Sequence, residues 1–370
     1  MTAEQLVSAL VSIDSVNPDL VPGGAGEAEI ASFVADWLRD AGLEVELEEA
    51  APGRPSVVAV ARGTGGGASL MLNAHMDTVG VDGMARPFDP VVRDGRLHGR
   101  GAYDMKGSLA ACMLAAERVA SEGLAGDLIV TAVADEEYAS IGVQSVLRSR
   151  RADAAIVTEP TGLRVCVAHK GFVWAEIETE GRAAHGSRPA EGIDAITRMA
   201  PALARLADLQ AALDAAPGHE LVGPGSVHAA LIEGGQELSS YPARCRLALE
   251  RRTAPGETAD DFRRECEALV EGIEGAEVRM GLARNPFAVD PDAAVVHAMS
   301  RAAERVTGGP AEVYGETYWM DAAFTQAAGI PTVVFGPGGE GAHAVEEWVD
   351  LASVEACTDA LVAAARELCA

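Results

Sequence analysis

Strand-like and helical patterns alternate along the first part of this sequence, up to Pro160. Apolar runs with strand character (SVVAVAR, SLMLNAH, DLIVTAVAD and AAIVTEP) are separated by helical patterns, including MKGSLAACMLAAERVAS and a short helix near 141–149. Such alternation predicts an α/β fold, in which a parallel or mixed sheet is covered by helices on both faces. Ligands of these sheets bind beyond the carboxyl ends of the strands. Functional residues are therefore expected just after each strand run.

The pattern changes after Lys170. FVWAEIETEG alternates like a half-exposed strand, and a helix over 191–213, the strands SVHAALIEGG and ARCRLALERR, a helix over 258–273 and the strand AEVRMGL follow. This β-α-β-β-α-β order predicts a ferredoxin-like α+β domain over 171–284. Strand and helix patterns then resume, ending with a helix over 351–367. Because 370 residues exceed what one core usually supports, we predict a domain formed by 1–170 and 285–370 that is interrupted by the inserted one.

Five residues with metal-binding side chains lie at predicted strand ends or in the loops after them. They are His75, Asp104, Glu137, Glu159 and His343. Two imidazoles and three carboxylates match the needs of a pair of divalent ions, with one carboxylate bridging. Each residue alone could be an ordinary loop residue, and Asp104 could instead cap the helix that follows it. Only the folded sheet would bring the five together.

Two more acids lie beside these candidate ligands. Asp77 is two residues from His75, so on an extended segment its carboxylate could accept a hydrogen bond from the second ring nitrogen of His75. The triplet Asp135-Glu136-Glu137 ends the strand DLIVTAVA. One Glu could bind a metal while the other takes a proton from the attacking water. A solvated acidic loop is the alternative interpretation of this triplet.

Charge and cysteine usage exclude several kinds of partner and compartment. The net charge of −27, from 29 basic and 56 acidic residues, disfavours nucleic acid and anionic membranes, because both would be repelled. Six dispersed cysteines without a CxxC pair are typical of a reduced protein. The start, MTAEQLVSALVSIDSV, lacks the basic region of a signal peptide, and no apolar stretch suits a membrane span. We expect a cytoplasmic protein.

An ordered series of motifs resembles one known family over essentially the whole chain. The motifs are SVNP at 15–18, HMDTV at 75–79, GAYDMKG at 101–107, DEE at 135–137, TEPT at 158–161, HGSRPAEGIDAI at 185–196, RRTAPGE at 251–257 and GPGGEGAHAVEEWV at 336–349. Together they resemble the dinuclear zinc peptidases and deacylases of the M20 class. This group includes acetylornithine deacetylase, succinyl-diaminopimelate desuccinylase and the glutamate carboxypeptidases.

The resemblance implies a role for each residue of the metal site. One zinc would be held by His75 and Glu159 and the other by Glu137 and His343, with Asp104 bridging both. Glu136 would be the general base, and Asp77 would orient His75. Cobalt or manganese would also fit these ligands.

The resemblance further implies that the inserted domain is a lid through which a homodimer forms. His185 matches a family His that stabilises the oxyanion, commonly that of the partner subunit; alternatively it is a turn residue before the helix over 191–213. Arg252 matches a family Arg that meets the substrate carboxylate, with Arg251 as the alternative. Ser239 stands at the start of SSYP, where many members have an Asn that contacts substrate. The substrate is therefore not implied by the motifs.

These observations favour hydrolysis of an amide bond beside a free carboxylate. The expected substrate is an N-acyl amino acid, with acetylornithine-like compounds first, or else a short peptide cleaved by a dipeptidase or carboxypeptidase. A different class of function is a catalytically silent homologue that binds metal and ligand. Glu136 distinguishes the two classes, because a pure binding protein has no use for a base beside the metals.

Overall fold

The computed structural model describes residues 1–370. The helices are α1 (Ala3–Val11), α2 (Ala28–Asp40), α3 (Gly107–Ala120), α4 (Ile141–Ser149), α5 (Ala195–Ala215), α6 (Ala259–Val270), α7 (Ala294–Thr307), α8 (Ala322–Ala327) and α9 (Leu351–Leu368), with a π-helical turn at Ala102–Lys106. The strands are β1 (Glu44–Ala51), β2 (Arg54–Ala61), β3 (Leu70–His75), β4 (Val91–Arg93), β5 (Arg96–His98), β6 (Leu128–Val133), β7 (Ala154–Val157), β8 (Val165–His169), β9 (Gly171–Glu180), β10 (Ser226–Gly234), β11 (Arg244–Thr253), β12 (Ala276–Arg284), β13 (Phe287–Ala288), β14 (Val313–Glu316), β15 (Thr332–Val334), β16 (Gly339–Glu340) and β17 (Trp348–Asp350).

The chain divides into two compact units. The first comprises Met1–Val167, Val289–Tyr314 and Met320–Ala370, and the second comprises Ala168–Ala288 and Gly315–Trp319. The first unit is therefore built from segments on both sides of the second in the sequence.

A mixed sheet organises the first unit, in the order β1-β2-β6-β3-β7-β15-β8. Strand β3 is parallel to β6 and β7, and β15 is parallel to β7, whereas β1 and β2 are antiparallel to their neighbours. The register sets His75 opposite Val133 and Asn73 opposite Val157. The carboxyl ends of β3, β6 and β7 therefore meet at one edge of the sheet, where the sequence predicts the chemistry.

Helices cover both faces of this sheet because its parallel strands are apolar on both sides. All residues of β3 and β6 are buried. Met71 and Val133 belong to a core cluster with Val143 and Val146 of α4, on one face. Side chains alternate along a strand, so Leu70 lies on the opposite face, and α3, which contacts β3, is backed by α9. None of the helices combines the length and apolar character needed to cross a lipid bilayer.

A small antiparallel sheet in the first unit has the order β16-β17-β5-β4. Trp348 of β17 pairs with His98 of β5, and Glu340 of β16 pairs with Trp348. The turn that joins β16 to β17 contains His343, and the segment after β5 leads to Asp104. This sheet therefore links two of the candidate ligands through their backbone.

The second unit has the predicted β-α-β-β-α-β order, formed by β9, α5, β10, β11, α6 and β12. Its sheet is antiparallel throughout, in the order β10-β11-β9-β12. Alternate residues of β9 and β11, such as Ile177 and Leu247, pack against Met199 of α5 and Phe262 of α6. This is the ferredoxin-like arrangement, and the predicted fold class, a mixed-sheet α/β domain with an inserted α+β domain, is confirmed.

Candidate metal centre

Three parallel strands of the central sheet end at the same edge, and the residues at or just after their ends lie there together. His75 is the last residue of β3, the triplet Asp135–Glu137 follows β6, and Glu159 follows β7. His75 and Glu159 are buried, with 1% and 5% of their surface exposed. Nε2 of His75 lies 3.6 Å from Oε1 of Glu159. The predicted convergence of these residues is what the strand register produces.

Asp104 lies in the irregular segment before α3. Its backbone is not helical (φ −116°, ψ 94°), its peptide bond to Met105 is cis, and α3 begins only at Gly107 without a side-chain cap. The carboxylate is thus not the cap of this helix. It lies between two imidazoles, with Oδ1 3.2 Å from Nε2 of His75 and Oδ2 3.3 Å from Nε2 of His343. That is the position of a bridging ligand.

His343 approaches from the turn between β16 and β17. Its backbone is left-handed (φ 61°), which is uncommon for a residue with a side chain. Nε2 lies 3.1 Å from Oε2 of Glu137 as well as close to Asp104. Its side chain is 56% exposed, whereas that of His75 is 1% exposed. The two imidazoles therefore approach Asp104 from a solvent-facing side and from a buried side.

Two groups of three ligand atoms result, and they share Asp104. One group is His75, Asp104 and Glu159, and the other is Asp104, Glu137 and His343; within each group the ligand atoms lie within 4.8 Å of one another. Imidazole nitrogen and carboxylate oxygen are ligands that suit zinc and related divalent ions. The residues present therefore fit two metal ions that share one carboxylate.

The charges within this cluster perturb one another strongly. Burial, followed by repulsion from Asp104, raises the pKa of Glu137 above its usual value. Hydrogen bonds with Asp104 and Glu137 raise the pKa of the His343 imidazole to about 10. Burial opposes ionisation of Asp104, but its bonds with His343 and His75 hold the pKa of its carboxyl below its usual range. Crowded carboxylates favour any cation that can enter among them.

Glu136 lies beside the two groups of ligands. Burial, and after it the negative charge of Glu159, raise the pKa of Glu136 well above its ordinary value. A carboxylate that binds no metal itself can accept a proton and later donate it. Glu136 belongs to neither group of ligand atoms, so proton transfer is the chemistry open to it.

Asp77 is placed differently from what its sequence spacing predicts. Nδ1 of His75 lies 2.9 Å from the backbone carbonyl oxygen of Asp77, whereas the nearer carboxylate oxygen is 3.6 Å away. The carboxylate instead accepts hydrogen bonds from the backbone N–H groups of Glu136 (3.0 Å) and Glu137 (3.2 Å). These bonds orient the carboxylate toward the acidic triplet, and the carbonyl of Asp77 is the partner of the imidazole. Asp77 thus holds both His75 and the acidic triplet.

Asn17 is a residue of this site that the sequence interpretation missed. It is fully buried, and its Nδ2 donates to Oδ2 of Asp77 (2.8 Å) and to Oδ1 of Asp135 (2.9 Å). Its Oδ1 accepts from the backbone N–H groups of Asp19 and Leu20. The amide therefore uses both donors and its acceptor. The only signal in the sequence was the motif SVNP, to which no role was assigned.

Arg54 supports the same strand end from the other side. Its guanidinium makes two bonds to the buried carboxylate of Glu27 (2.6 and 2.7 Å) and one to Oδ1 of Asp135 (3.0 Å). Glu27 in turn accepts the backbone N–H of Asp135. Such bidentate, charge-assisted bonds are stronger and more directional than neutral ones. They fix the backbone from which Glu136 and Glu137 project.

The remaining predicted residues lie in the second unit. His185 is exposed, and its Nδ1 is 2.8 Å from Oγ of Ser187. Arg252 is half-buried; it donates to Glu250 (2.7 Å) and lies over the ring of Phe172. Ser239 is exposed, and its carbonyl oxygen accepts the N–H of Gly186. None of these three contributes to the two groups of metal-binding residues.

Arg251, the alternative to Arg252, has a different environment. It is 2% exposed, and its guanidinium pairs with Glu257 (2.8 Å) and Glu265 (3.0 Å). A guanidinium held by two carboxylates of its own unit is already saturated. Its contacts are those of a residue that stabilises the second unit.

Comparison with known proteins places these features in context. The sequence model of peptidase family M20/M25/M40 matches residues 71–367. The fold is similar to that of the aminopeptidase PepT from Bacillus cereus (TM-score 0.83, 20% identity, covering 99% of this chain and 98% of that chain). It is also similar to an M20 family metallo-carboxypeptidase, Sso-CP2, from Sulfolobus solfataricus (TM-score 0.80, 18% identity, 99% of each chain). A third similar structure is the YXEP protein of Bacillus subtilis, a dinuclear metal-binding peptidase (TM-score 0.74, 17% identity, 100% of this chain and 98% of that chain).

Proposed function

Because the chain belongs to peptidase family M20/M25/M40, we propose that it is a two-metal amidohydrolase. The reaction is hydrolysis of an amide bond that lies beside a free carboxylate. One observation carries this proposal: Asp104 is shared by two groups of metal-binding residues, and the potential base Glu136 lies beside them. A protein that only bound metal would not need an additional, half-buried carboxyl group at this position.

The ligand atoms support two divalent ions of borderline softness, and zinc is the ion we propose, with cobalt or manganese compatible. His75, Asp104 and Glu159 would hold one ion, and Asp104, Glu137 and His343 the other. When bound, the two ions would supply Lewis acidity, lowering the pKa of a water molecule and stabilising negative charge on the carbonyl oxygen of the substrate.

Glu136 is the proposed proton carrier of the reaction. Its carboxylate takes a proton from the attacking water and afterwards donates that proton to the leaving amine nitrogen. Its position next to the ligand Glu137, and close enough to His75 and Glu159 to interact with their charges, suits both steps. Asp77 and Asn17 keep the backbone of the base in place through the bonds described above.

Two residues of the second unit are proposed to contact the substrate. His185 would donate a hydrogen bond to the carbonyl oxygen as negative charge develops on it, commonly from a partner subunit in the family that the motifs resemble. Arg252 would pair with the substrate carboxylate, because its guanidinium is half-buried whereas that of Arg251 is already held by two carboxylates. The exchange of Glu250 for a substrate carboxylate would keep Arg252 paired throughout.

The preferred substrate is proposed to be an N-acyl amino acid, such as an acetylornithine-like compound. Peptidase chemistry at the same centre is the second candidate. Two of the proteins of similar fold favour it, since they are described as an aminopeptidase and a metallo-carboxypeptidase. A panel of N-acetyl, N-succinyl and dipeptide substrates separates the two candidates.

The two units are proposed to be a catalytic domain and a lid that also forms a homodimer. Strand β10 is at one end of the sheet of the second unit, and its Leu231 and Ile232 are 67% and 52% exposed. An exposed, apolar edge strand is a template for pairing with another chain. Light scattering of the purified protein would measure the oligomeric state. The six buried thiols accord with a reducing, cytoplasmic location.

Removal of metal is the direct test of this proposal. Purified protein is treated with a chelator, assayed on the substrate panel, and assayed again after zinc, cobalt or manganese is added. We expect complete loss of amide hydrolysis after chelation and recovery on addition of two equivalents of metal. Hydrolysis that persists in protein shown to contain no metal would contradict the proposal, as would metal-loaded protein that cleaves no amide.

A further inference from the structure

We propose that Arg100 and Glu347 act together as positioning residues for the second metal pocket, the one formed by Asp104, Glu137 and His343. This proposal rests on the two-metal function above. Neither residue belongs to the two groups of metal-binding residues. Both are buried, with 3% and 1% of their surface exposed.

Glu347 bonds the turn that carries His343 to the segment that carries Asp104. Its Oε1 accepts the backbone N–H groups of Tyr103 (2.9 Å) and Asp104 (3.1 Å). Its Oε2 accepts the backbone N–H of Gly101 (2.9 Å) and a guanidinium N–H of Arg100 (2.7 Å). All four donors belong to one short stretch of chain. The position of Asp104 therefore depends on a side chain only four residues after His343.

Arg100 completes the connection in the opposite direction. Its Nη2 donates to the carbonyl oxygen of Ala344, the residue after His343, at 3.0 Å. Its Nε donates to the carbonyl oxygen of Gly80, also at 3.0 Å. The guanidinium thus bonds to the turn that carries His343 at two points after that residue, Ala344 and Glu347. Because it is planar and rigid, it sets the distance between these partners.

Both segments need such support. Asp104 and Met105 interrupt the π-helical turn with non-helical backbone angles. The N–H groups of Tyr103 and Asp104 lie at the start of that turn, where no preceding helical carbonyl accepts them, and they bond to Glu347 instead. His343 is exposed and has a left-handed backbone, a conformation that persists only where surrounding contacts enforce it. Asp104 is shared by both pockets, whereas His343 belongs only to the second, so weakening the Arg100–Glu347 pair should affect the second pocket more than the first.

The test is a titration of the metal-free protein with zinc, in which calorimetry measures the affinity for each ion. Elemental analysis after dialysis against zinc checks the number of ions bound. The variant is Glu347→Gln, which keeps the size of the side chain but replaces one acceptor oxygen with a donor. The control is Glu346→Gln, which makes the same charge change at an exposed neighbour. We expect wild type and control to bind two ions. We expect Glu347→Gln to bind the ion of the second pocket about 10–100-fold more weakly, and the ion of the first pocket less than about tenfold more weakly, because the first pocket shares Asp104 but not His343.

A second experiment, in the His343→Ala variant, distinguishes an effect on the second metal pocket from a general loss of protein stability. In His343→Ala the second pocket has already lost a ligand, so adding Glu347→Gln should weaken the remaining ion only through Asp104, by no more than the single variant does and by less than about tenfold. Equal weakening of both ions in the single variant, or a large additional loss in the double variant, would overturn the proposal. Unchanged affinity for both ions would overturn it too.

Arg100→Lys serves where Glu347→Gln does not yield folded protein. It keeps the positive charge beside Glu347 but cannot bond to Glu347, Ala344 and Gly80 at once. The same selective weakening is expected, and wild-type binding of both ions would refute the role of the pair. Wild-type protein that binds no metal would remove the proposed function itself, whereas two tight ions in every variant would remove only the positioning role.

Discussion

The predicted site residues of the first unit and those of the second unit have opposite environments. In the first unit, His75, Glu137 and Glu159 converge on Asp104, and partners from distant parts of the chain hold them in place. In the second unit, the side-chain hydrogen bonds of His185 and Arg252 go to residues two positions away, Ser187 and Glu250. A metal pocket must be assembled before its ions arrive. Residues that meet a substrate can remain near solvent until it binds.

The largest difference between the two regions should appear when the base is removed. Glu136→Gln keeps the shape of the side chain but cannot accept a proton from water. We expect kcat to fall by about 10³–10⁴-fold, since general base catalysis is lost, while the protein still binds two metal ions. Steady-state kinetics and elemental analysis measure both quantities. A variant that retains the wild-type kcat would remove Glu136 as the base.

Substitution of His185 should lower kcat less than substitution of Glu136 does, and it should likewise leave metal binding unchanged. His185→Ala removes the proposed donor to the oxyanion, and we expect kcat to fall by about 10²-fold. The metal content and the affinity for zinc should remain those of wild type, because His185 belongs to neither group of ligands. If kcat is unchanged, His185 is a turn residue, and the contrast between the units loses its catalytic part.

The smallest effect should come from two adjacent arginines of β11. Arg252→Ala should raise KM about 10-fold for carboxylate-bearing substrates, through the loss of a charge-assisted pair, and should leave the unfolding temperature near that of wild type. Arg251→Ala should instead destabilise the protein by about 2 kcal/mol, less than a fully buried pair because Glu257 and Glu265 are partly exposed. Thermal denaturation and substrate titration of both variants measure this.

A reversed outcome for the two arginines would be equally informative. If Arg251→Ala raised KM while leaving stability unchanged, the buried residue would be the one that binds the substrate carboxylate. The assignment of Arg252 as the substrate contact would then be wrong.

Local patterns in the sequence were sufficient to predict the fold class and to identify five side chains that the structure brings together. The short helix near 141–149 and the closing helix over 351–367 agree with α4 and α9, because each has apolar residues at helical spacing between clear end signals. His75 and Glu159 could be located because each follows a buried strand of a parallel sheet. The spacing of apolar residues and the end of a strand can both be recognised within a short segment of sequence, so these features did not require knowledge of the folded structure.

The support of the site could not be predicted in the same way. Asn17 meets Asp135, and Arg100 meets Glu347, across more than a hundred residues of sequence. Contacts of this kind depend on the register of strands and on the path of irregular loops, which no single segment encodes. The placement of Asp77 illustrates the same limit. Its spacing from His75 predicted a direct bond from its carboxylate, but donors from another strand end occupy that carboxylate.

The insertion of the second unit has a consequence for the order in which the enzyme is made. A ribosome releases His75, Asp104, Glu137 and Glu159 early, then synthesises the whole inserted unit, and only afterwards adds the turn with His343 and Glu347. A half-translated polypeptide therefore carries a cluster of acids without its last imidazole. The second group of metal-binding residues can therefore form only after the whole inserted unit has been synthesised.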